Sequence, residues 1–530
     1  MYLTFSVFFI MYVFFNPNSI NLELVLPTVL ILSFPVGYFA LIPFRTNLTM
    51  PFLGIVPIAI SLGFIFNYLW VFALSPFTLD PFLLVVPFTI SVGMIFYFQI
   101  SGFFTKEDIR NTGVGSSAEN LCLNKSESRK WTFLFFVFII PVALYLVLAT
   151  NYDGPSNWLI VGDWGYHTIL IETISQQNYL NWFLEDVGPV TYPIGWHVTT
   201  AGFANFFDLP ILKMEFLLLT VMSFLLFGVL LSASFLVIRS IWIVVGAMTA
   251  YFFVDPTSAS RFVYESIFVG FGPFLLGSLC AMTMLFFLLL LKNKNNSSFF
   301  LLSLLFIGTG VAYPPMIVYL LIWMGLFVIF NFKRISMPKI KNLKNILNIL
   351  KIKKFNILHF IFIALVVGII SGQFYFIPLN ILEHATFNEY YFSPGFTYSS
   401  NFESKYFILI LTVVSMINLF YFKESRFLTL IMFSTIMIAT FAINFPNSNT
   451  FFTPYRINFF LIVFTWILFG LCIKQMEMFV SNRYVSSRSI SLIKTKPFTI
   501  SFLLLSLVVF LPSIVNVINM DSFLYDITFK

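Results

Sequence analysis

Long apolar runs follow one another along most of this chain, each close to the roughly 20 residues that a helix needs to cross about 30 Å of hydrocarbon. Hydrophobic residues make up 59% of the 530-residue sequence, and the mean hydropathy is +0.93. An average soluble domain is only about 45–50% apolar. Because the runs are continuous rather than alternating, they differ from the strands of a membrane β-barrel. The sequence therefore predicts an all-α polytopic membrane protein.

The apolar runs predict about 14–15 transmembrane helices, with boundaries placed to within about two to four residues. The predicted spans lie at 3–15, 24–43, 52–75, 81–100, 132–149, 214–237, 241–254, 266–291, 299–312, 316–332, 357–378, 404–422, 427–444, 456–474 and 498–517. Residues 313–315, Tyr-Pro-Pro, separate two of these runs. Because proline can either end a spanning helix or kink it, 299–332 is open to both interpretations.

The lysines and arginines give the orientation. With a cytoplasmic N-terminus, 24 of the 29 basic residues fall in cytoplasmic loops, and five fall outside: Lys213, Arg261, Lys405, Arg456 and Lys530. This asymmetry is what the positive-inside rule describes. It predicts a multi-pass protein of the cell (plasma) membrane whose loop 150–213 is outside. The net charge of +7 then reflects topology and attraction to anionic membrane lipids, and no other feature indicates nucleic-acid binding.

The sequence divides into three regions at its polar segments. Residues 1–130 hold four N-terminal helices and a cytoplasmic loop, and residues 131–475 hold a second transmembrane module that includes loop 150–213. Residues 476–530 hold a basic cytoplasmic loop, the last span and a short external tail. The three cysteines are far apart and show neither disulfide nor metal-ligand spacing, so no metal site is predicted from them.

The segment from Asn151 to Asp208 concentrates the polar residues of a chain that is only 10% charged. It contains two of the four histidines, four of the nine tryptophans and no lysine or arginine. Its six carboxylates are Asp153, Asp163, Glu172, Glu185, Asp186 and Asp208. Ionisable groups held close to a bilayer are usually functional. We therefore interpret this segment as an external catalytic loop that contains short helices.

Asp163 and His167 form the first candidate catalytic pair. If residues 161–174 are helical, these two side chains are one turn apart on the same face. A carboxylate beside an imidazole suits general-base catalysis, because each group can orient the other and tune its proton affinity. Asp153 is the second candidate base, although Asp-Gly-Pro is also ordinary turn chemistry. The structural alternative is that Asp163 caps a helix and His167 is a satisfied polar side chain.

The second group of candidates is predicted to bind substrate. Tyr192, Trp196 and His197 lie in the turn-like Pro/Gly segment TYPIGWH, and aromatic rings beside carboxylates suit the C–H faces and hydroxyls of a sugar. The external loop 379–403 adds Glu383 and His384. The alternative is that these two are solvent-exposed loop residues without a role in binding. The tryptophans and tyrosines could equally be interfacial anchors.

These motifs resemble the polytopic GT-C glycosyltransferases. The resemblance rests on GDWGYH with Asp163 and His167, on TYPIGWH with Tyr192 and His197, and on a late Thr-Pro-Tyr-Arg at 453–456. It covers roughly residues 131–475, and the four helices before it are additional. The chain has no WWDxG-type signature of oligosaccharyltransferases, so transfer to protein asparagine is less favoured. The sequence also ends shortly after its last predicted span, which leaves the identity of the acceptor open.

The resemblance implies a polyprenyl-phosphate-linked sugar as donor and a glycan or lipid as acceptor. Asp163 would deprotonate an acceptor hydroxyl, which attacks the anomeric carbon with inversion on the outer face. Tyr455 and Arg456 would bind the donor, with Arg456 holding its phosphate through a planar fork of donors; an anchoring role at the headgroups is the alternative. His167 and His197 would orient the base, bind sugar or help carboxylates hold a divalent cation. The other function classes left open are a lipid-linked polysaccharide polymerase or ligase of another fold, and a secondary transporter.

Overall fold

The computed structural model describes residues 22–42, 50–100, 128–139, 163–180, 183–184, 188–189, 194–238, 240–241, 272–291, 298–313, 316–332 and 426–444, together with the single residues 10, 244, 467, 471 and 474. The helices that lie wholly within these ranges are α1 (Leu22–Leu41), α2 (Phe52–Leu74), α3 (Phe82–Ile100), α4 (Asp163–Gln177), α5 (Gly195–Phe207), α6 (Ile211–Ile238), α7 (Gly272–Leu291), α8 (Ser298–Ala312), α9 (Ile317–Phe332) and α10 (Arg426–Asn444). Residues 128–139 are also helical. A two-residue antiparallel pair, β1 (Phe183–Leu184) and β2 (Gly188–Pro189), lies between α4 and α5.

Eight of the described helices coincide with predicted spans, namely 24–43, 52–75, 81–100, 214–237, 266–291, 299–312, 316–332 and 427–444. The predicted span 132–149 is described only as far as residue 139, and those at 3–15, 241–254, 357–378, 404–422, 456–474 and 498–517 lie outside the described residues apart from single positions. Four of the described helices, at Leu24–Leu41, Phe52–Leu74, Ile211–Ile238 and Gly272–Leu290, are long and apolar enough to cross a membrane. The part of the chain that the structure describes is thus all-helical apart from the short β pair, as expected for an integral membrane protein. The region 299–332 forms two helices, because α8 ends at Ala312 and α9 begins at Ile317.

Helices α1 and α2 pack backbone against backbone. A Cβ added at Gly37 would overlap the carbonyl oxygen of Ala59, and one added at Gly63 would overlap that of Ser33. Each helix therefore presents two small residues spaced four apart, Ser33 and Gly37 on α1 and Ala59 and Gly63 on α2. Small residues at this spacing let helices approach closely inside a membrane, where packing rather than hydrophobicity drives association.

Helix α6 is central among the described helices. Its side chains are buried along most of its 28 residues, and it packs against α2 on one side and α7 on another. Helix α8 packs on α7, and α10 packs on α9 through a 3.0 Å hydrogen bond from Trp323 Nε1 to Thr435 Oγ1. The first three helices and the later ones share one apolar core.

Helices α4 and α5 cap one end of this bundle. The α2–α3 turn binds the end of α4 through two backbone hydrogen bonds of 2.7 Å, from Leu79 N–H to the Asn178 carbonyl and from Leu180 N–H to the Ser75 carbonyl. Asn205 on α5 accepts a hydrogen bond from Ser175. It also donates to the Leu79 carbonyl at 3.4 Å. These bonds fix the loop helices to the transmembrane helices.

Candidate functional site

Helix α4 is amphipathic, and its inner face carries the first histidine. His167, Leu170, Ile171 and Ile174 are buried, which is the three- and four-residue spacing of one helix face. Glu172 is exposed on the opposite face. The helix begins at Asp163, one turn before His167, as the sequence predicted.

Helix α5 is buried almost throughout, which is unusual for a segment of a predicted external loop. The hydroxyls of Thr199 and Thr200 are satisfied within the helix by the carbonyls of Gly195 and Trp196. A Cβ at Gly195 would lie 2.8 Å from the Tyr68 hydroxyl, so only glycine allows α5 to approach α2 this closely. The sequence expectation of a turn at TYPIGWH is therefore corrected in part, because Gly195, Trp196 and His197 already lie in the first turn of α5.

The two loop histidines contact each other. His167 Nδ1 and His197 Nε2 are 2.8 Å apart, and the ring centroids are separated by 4.9 Å. His167 is 2% exposed and His197 is fully buried. A hydrogen bond between two ring nitrogens requires one N–H and one lone pair, so the contact holds a single proton between the rings. Such a pair can accept or release a proton with little change in the distance and orientation of the two rings, which suits acid–base chemistry.

A buried carboxyl group lies beside the histidine pair. Glu215, in the first turns of α6, is completely buried. Its Oε2 accepts a hydrogen bond from Thr168 Oγ1 at 3.0 Å, and its Oε1 accepts a longer one from Trp196 Nε1 at 3.4 Å. Both partners are neutral. A carboxyl group in an apolar bundle with only neutral partners is costly to bury, and such groups usually serve function.

Trp196 forms part of the wall of this cluster. Its side chain is fully buried, and a Cβ at Gly272 would overlap its indole ring. A sugar ring therefore cannot stack on Trp196 in this conformation. Its N–H instead donates to the Glu215 carboxyl group, which links α5 to α6, and Gly272 of α7 lies against the indole near Cε2 and Nε1.

The structure brings together His167, Trp196 and His197 from the predicted site. It places the backbone of Asp163 one turn before His167, and the Asp163 side chain lies outside the described part of the chain. The remaining predicted site residues lie outside the described residues: Asp153, Tyr192, Glu383, His384, Tyr455 and Arg456.

Thr168 and Glu215 were missed in the sequence. The available signal for Glu215 was a single acidic residue at the start of an otherwise apolar run. Where side chains are described, no three histidines, cysteines and carboxylates come together as metal ligands.

The comparison with known proteins gives a family and no function. No curated protein sequence and no solved structure matches the chain. A protein-family model matches residues 37–525, a range that contains α2 to α10 and the whole histidine cluster. The family that this sequence model represents, DUF6541, is described as a family of unknown function. Since this match extends over far more than half of the sequence, the chain belongs to the DUF6541 family.

Proposed function

We propose that this protein is a membrane glycosyltransferase that moves a sugar from a polyprenyl-phosphate donor to an acceptor hydroxyl on the outer face of the membrane. The observation that carries the proposal is the buried His167–His197 pair one helical turn after Asp163. It supports the proposal because it combines a candidate base with a group that can take up its proton. The resemblance of GDWGYH and TYPIGWH to GT-C glycosyltransferases supports the choice of reaction.

The reaction is an inverting displacement. Asp163 accepts the proton of the acceptor hydroxyl as that oxygen forms a bond to the anomeric carbon. The bond between the anomeric carbon and the phosphate oxygen breaks at the same time, and its electron pair leaves with the lipid phosphate. Arg456 neutralises that phosphate through its planar fork of donors. Asp153 is the alternative base. No step is assigned to a divalent cation.

The histidine pair receives the proton that Asp163 takes from the acceptor. Because His167 lies one turn after Asp163, the two residues share a face of α4. The 2.8 Å contact to His197 then extends the path inward to α5. The position of the pair at the capped end of the bundle favours a substrate that arrives from the lipid or from outside the cell.

A proton-coupled secondary transporter is the second candidate function. The observation that favours it is Glu215, a fully buried carboxyl group at the start of an apolar helix and close to two histidines. Buried carboxyl groups and histidines form proton relays in transporters. The two candidate functions assign different roles to Asp163, because only the transferase requires it to activate an acceptor hydroxyl.

The replacement Asp163→Asn tests the transferase. The amide keeps the shape of the carboxylate but cannot accept a proton, so discharge of lipid-linked sugar should fall roughly 10²–10⁴-fold. The measurement is the loss of label from radiolabelled polyprenyl-phosphate sugars, offered as a panel to membranes that contain the protein. Glu172→Gln is the control, because Glu172 lies on the exposed face of the same helix, where it accepts a hydrogen bond from Gln176 at 3.2 Å.

Three outcomes separate the alternatives. Normal transfer by Asp163→Asn with an inactive Asp153→Asn would move the base to Asp153. Normal transfer by both variants would disprove the mechanism. If wild-type membranes discharge no donor in the panel but acidify their lumen in response to a solute gradient, the transporter is the better assignment.

A further inference from the structure

Glu215 binds the two residues that are sequence neighbours of the histidines. Thr168 directly follows His167 on α4, and Trp196 directly precedes His197 on α5. The two carboxyl oxygens divide these donors between them, with Oε2 on Thr168 at 3.0 Å and Oε1 on Trp196 at 3.4 Å. One side chain of α6 therefore holds both histidine-bearing helices at the level of the histidine pair.

This second link matters because it anchors both helices to α6 at the level of the histidine pair. Helix α4 has a further tie to α5 at Ser175 and Asn205, but that tie lies about two turns from His167. Near His167 itself, His167 contacts His197 and Thr168 donates to Glu215. Helix α6 is long, buried and packed on two sides, so it is the rigid element to which the loop helices are fixed.

We propose that Glu215 is a positioning residue, which holds α4 and α5 so that His167 Nδ1 and His197 Nε2 stay in contact. Its carboxyl group accepts two hydrogen bonds in a buried environment of low dielectric constant. Hydrogen bonds are stronger there, and the loss of a partner is costly. The effect of Glu215 on sugar transfer rests on the proposed function. The effect on the geometry of the histidine pair does not.

The replacement Glu215→Gln distinguishes a positioning role of Glu215 from a role in proton transport. In Glu215→Gln the amide oxygen can accept from Trp196 Nε1, and the amide nitrogen can donate to Thr168, whose hydroxyl also accepts. A positioning residue therefore tolerates glutamine, whereas a proton carrier does not. Glu215→Ala removes both hydrogen bonds and should release α4. Glu172→Ala is the matched control, since it removes a carboxylate of α4 that faces solvent.

The experiment measures how fast diethyl pyrocarbonate modifies each histidine of the full-length protein in detergent, with peptides resolved by mass spectrometry. His167 and His197 are buried and should react slowly in the wild type. Loss of two hydrogen bonds to a buried carboxyl group should raise the modification rate of both by roughly tenfold or more in Glu215→Ala. Glu215→Gln and Glu172→Ala should remain at the wild-type rate.

Two results would overturn the proposal: an unchanged rate in Glu215→Ala, or an equal rise in Glu215→Gln. If Glu215→Ala does not fold, Thr168→Val and Thr168→Ser decide the matter. Valine keeps the shape of threonine without the hydroxyl, so it should raise the rate, and serine should restore it. No rise with valine counts against positioning.

Sugar transfer is the second measurement. Glu215→Gln should retain transfer, and Glu215→Ala should lower kcat with little change in KM, because the donor-binding groups are not displaced. A large loss of transfer in Glu215→Gln would show that the proton of Glu215 is used and would overturn positioning. Because histidine modification needs no substrate, it can support positioning even if Asp163→Asn disproves the transferase.

Discussion

Gly272 is the residue that allows Trp196 to lie between α5, α6 and α7. A Cβ at this position would overlap the indole ring, and the ring is fully buried and cannot move aside. Glycine is therefore required here by space, and Gly272 contributes to the site without taking part in any chemistry. Its contribution is to leave the indole N–H in reach of Glu215.

The replacement Gly272→Ala should displace the indole and break its bond to Glu215. We expect a lower melting temperature in detergent, corresponding to about 1–3 kcal/mol for an overpacked core, and a loss of transfer. Gly93→Ala is the control, because no atom lies within 4 Å of the added Cβ and the position is exposed. That control should be neutral or slightly stabilising. Equal melting temperatures for the two variants would contradict the packing seen around Trp196.

Single residues of the site were predictable from sequence to different degrees. His167 and His197 stood out because histidine is rare in this chain and both lie in the acidic loop. Their mutual contact was not predictable, since 30 residues and a helix boundary separate them. Glu215 was counted as the start of a membrane span, because hydropathy averages one acidic residue into an apolar window. Its role depends on Thr168 and Trp196, whose approach only the tertiary structure shows.

Helices α1 and α2 meet through a seam of small residues. Ser33, Gly37, Ala59 and Gly63 bring the two backbones into contact, as small residues at this spacing do inside membranes. The pattern is visible in the sequence, but small residues are common in spans, and nothing in the sequence pairs these two helices. Helices α1 and α2 carry apolar residues on all of their faces, so the periodicity of the sequence does not show which face packs.

Gly63→Ala tests this seam. The added Cβ would overlap the Ser33 carbonyl oxygen, which belongs to the backbone and cannot rotate away. We expect a fall in melting temperature at least as large as that of Gly272→Ala, because two helices must separate to relieve the overlap. Gly325→Ala on α9 is the matched control, with no atom within 4 Å of its Cβ. An unchanged melting temperature for Gly63→Ala would contradict the observed α1–α2 packing.

The existence and bounds of the long helices were the most predictable part of the fold. A continuous apolar run has few alternatives in a bilayer, because its backbone groups must bond within the segment. The predicted 52–75 and 427–444, for example, are observed as Phe52–Leu74 and Arg426–Asn444. The insertion of α5 among the transmembrane helices was not predictable, since its sequence reads as part of a polar loop.

Exposed aromatic residues mark two levels along the bundle. Trp70, Phe77, Phe82 and Tyr179 are exposed at the end that carries α4 and α5, and Phe52 is exposed at the other end of α2. Aromatic residues favour the membrane–water interface. Trp70 lies 18 residues after Phe52, about 27 Å at 1.5 Å per residue, which agrees with the thickness of a hydrocarbon core. The histidine cluster therefore lies near one membrane surface.

The orientation of that surface can be tested with cysteines. The basic residues predict that α4 is outside and that the Lys333–Lys354 run is inside. Gln176 is exposed on α4, and its backbone is regular helix, so Gln176→Cys should leave the fold unchanged and be accessible. Asn342→Cys reports on the basic run.

Both replacements are made in a background whose natural Cys122, Cys280 and Cys472 are alanine. In intact cells, a membrane-impermeant maleimide should label the cysteine at 176 and leave the one at 342 unlabelled until the membrane is permeabilised. The reverse pattern would place the histidine cluster at the cytoplasmic surface. The polyprenyl-phosphate donor would then have to bind from the cytoplasmic leaflet instead of the outer one. Labelling of both positions in intact cells would contradict the topology itself, because an odd number of crossings must separate them.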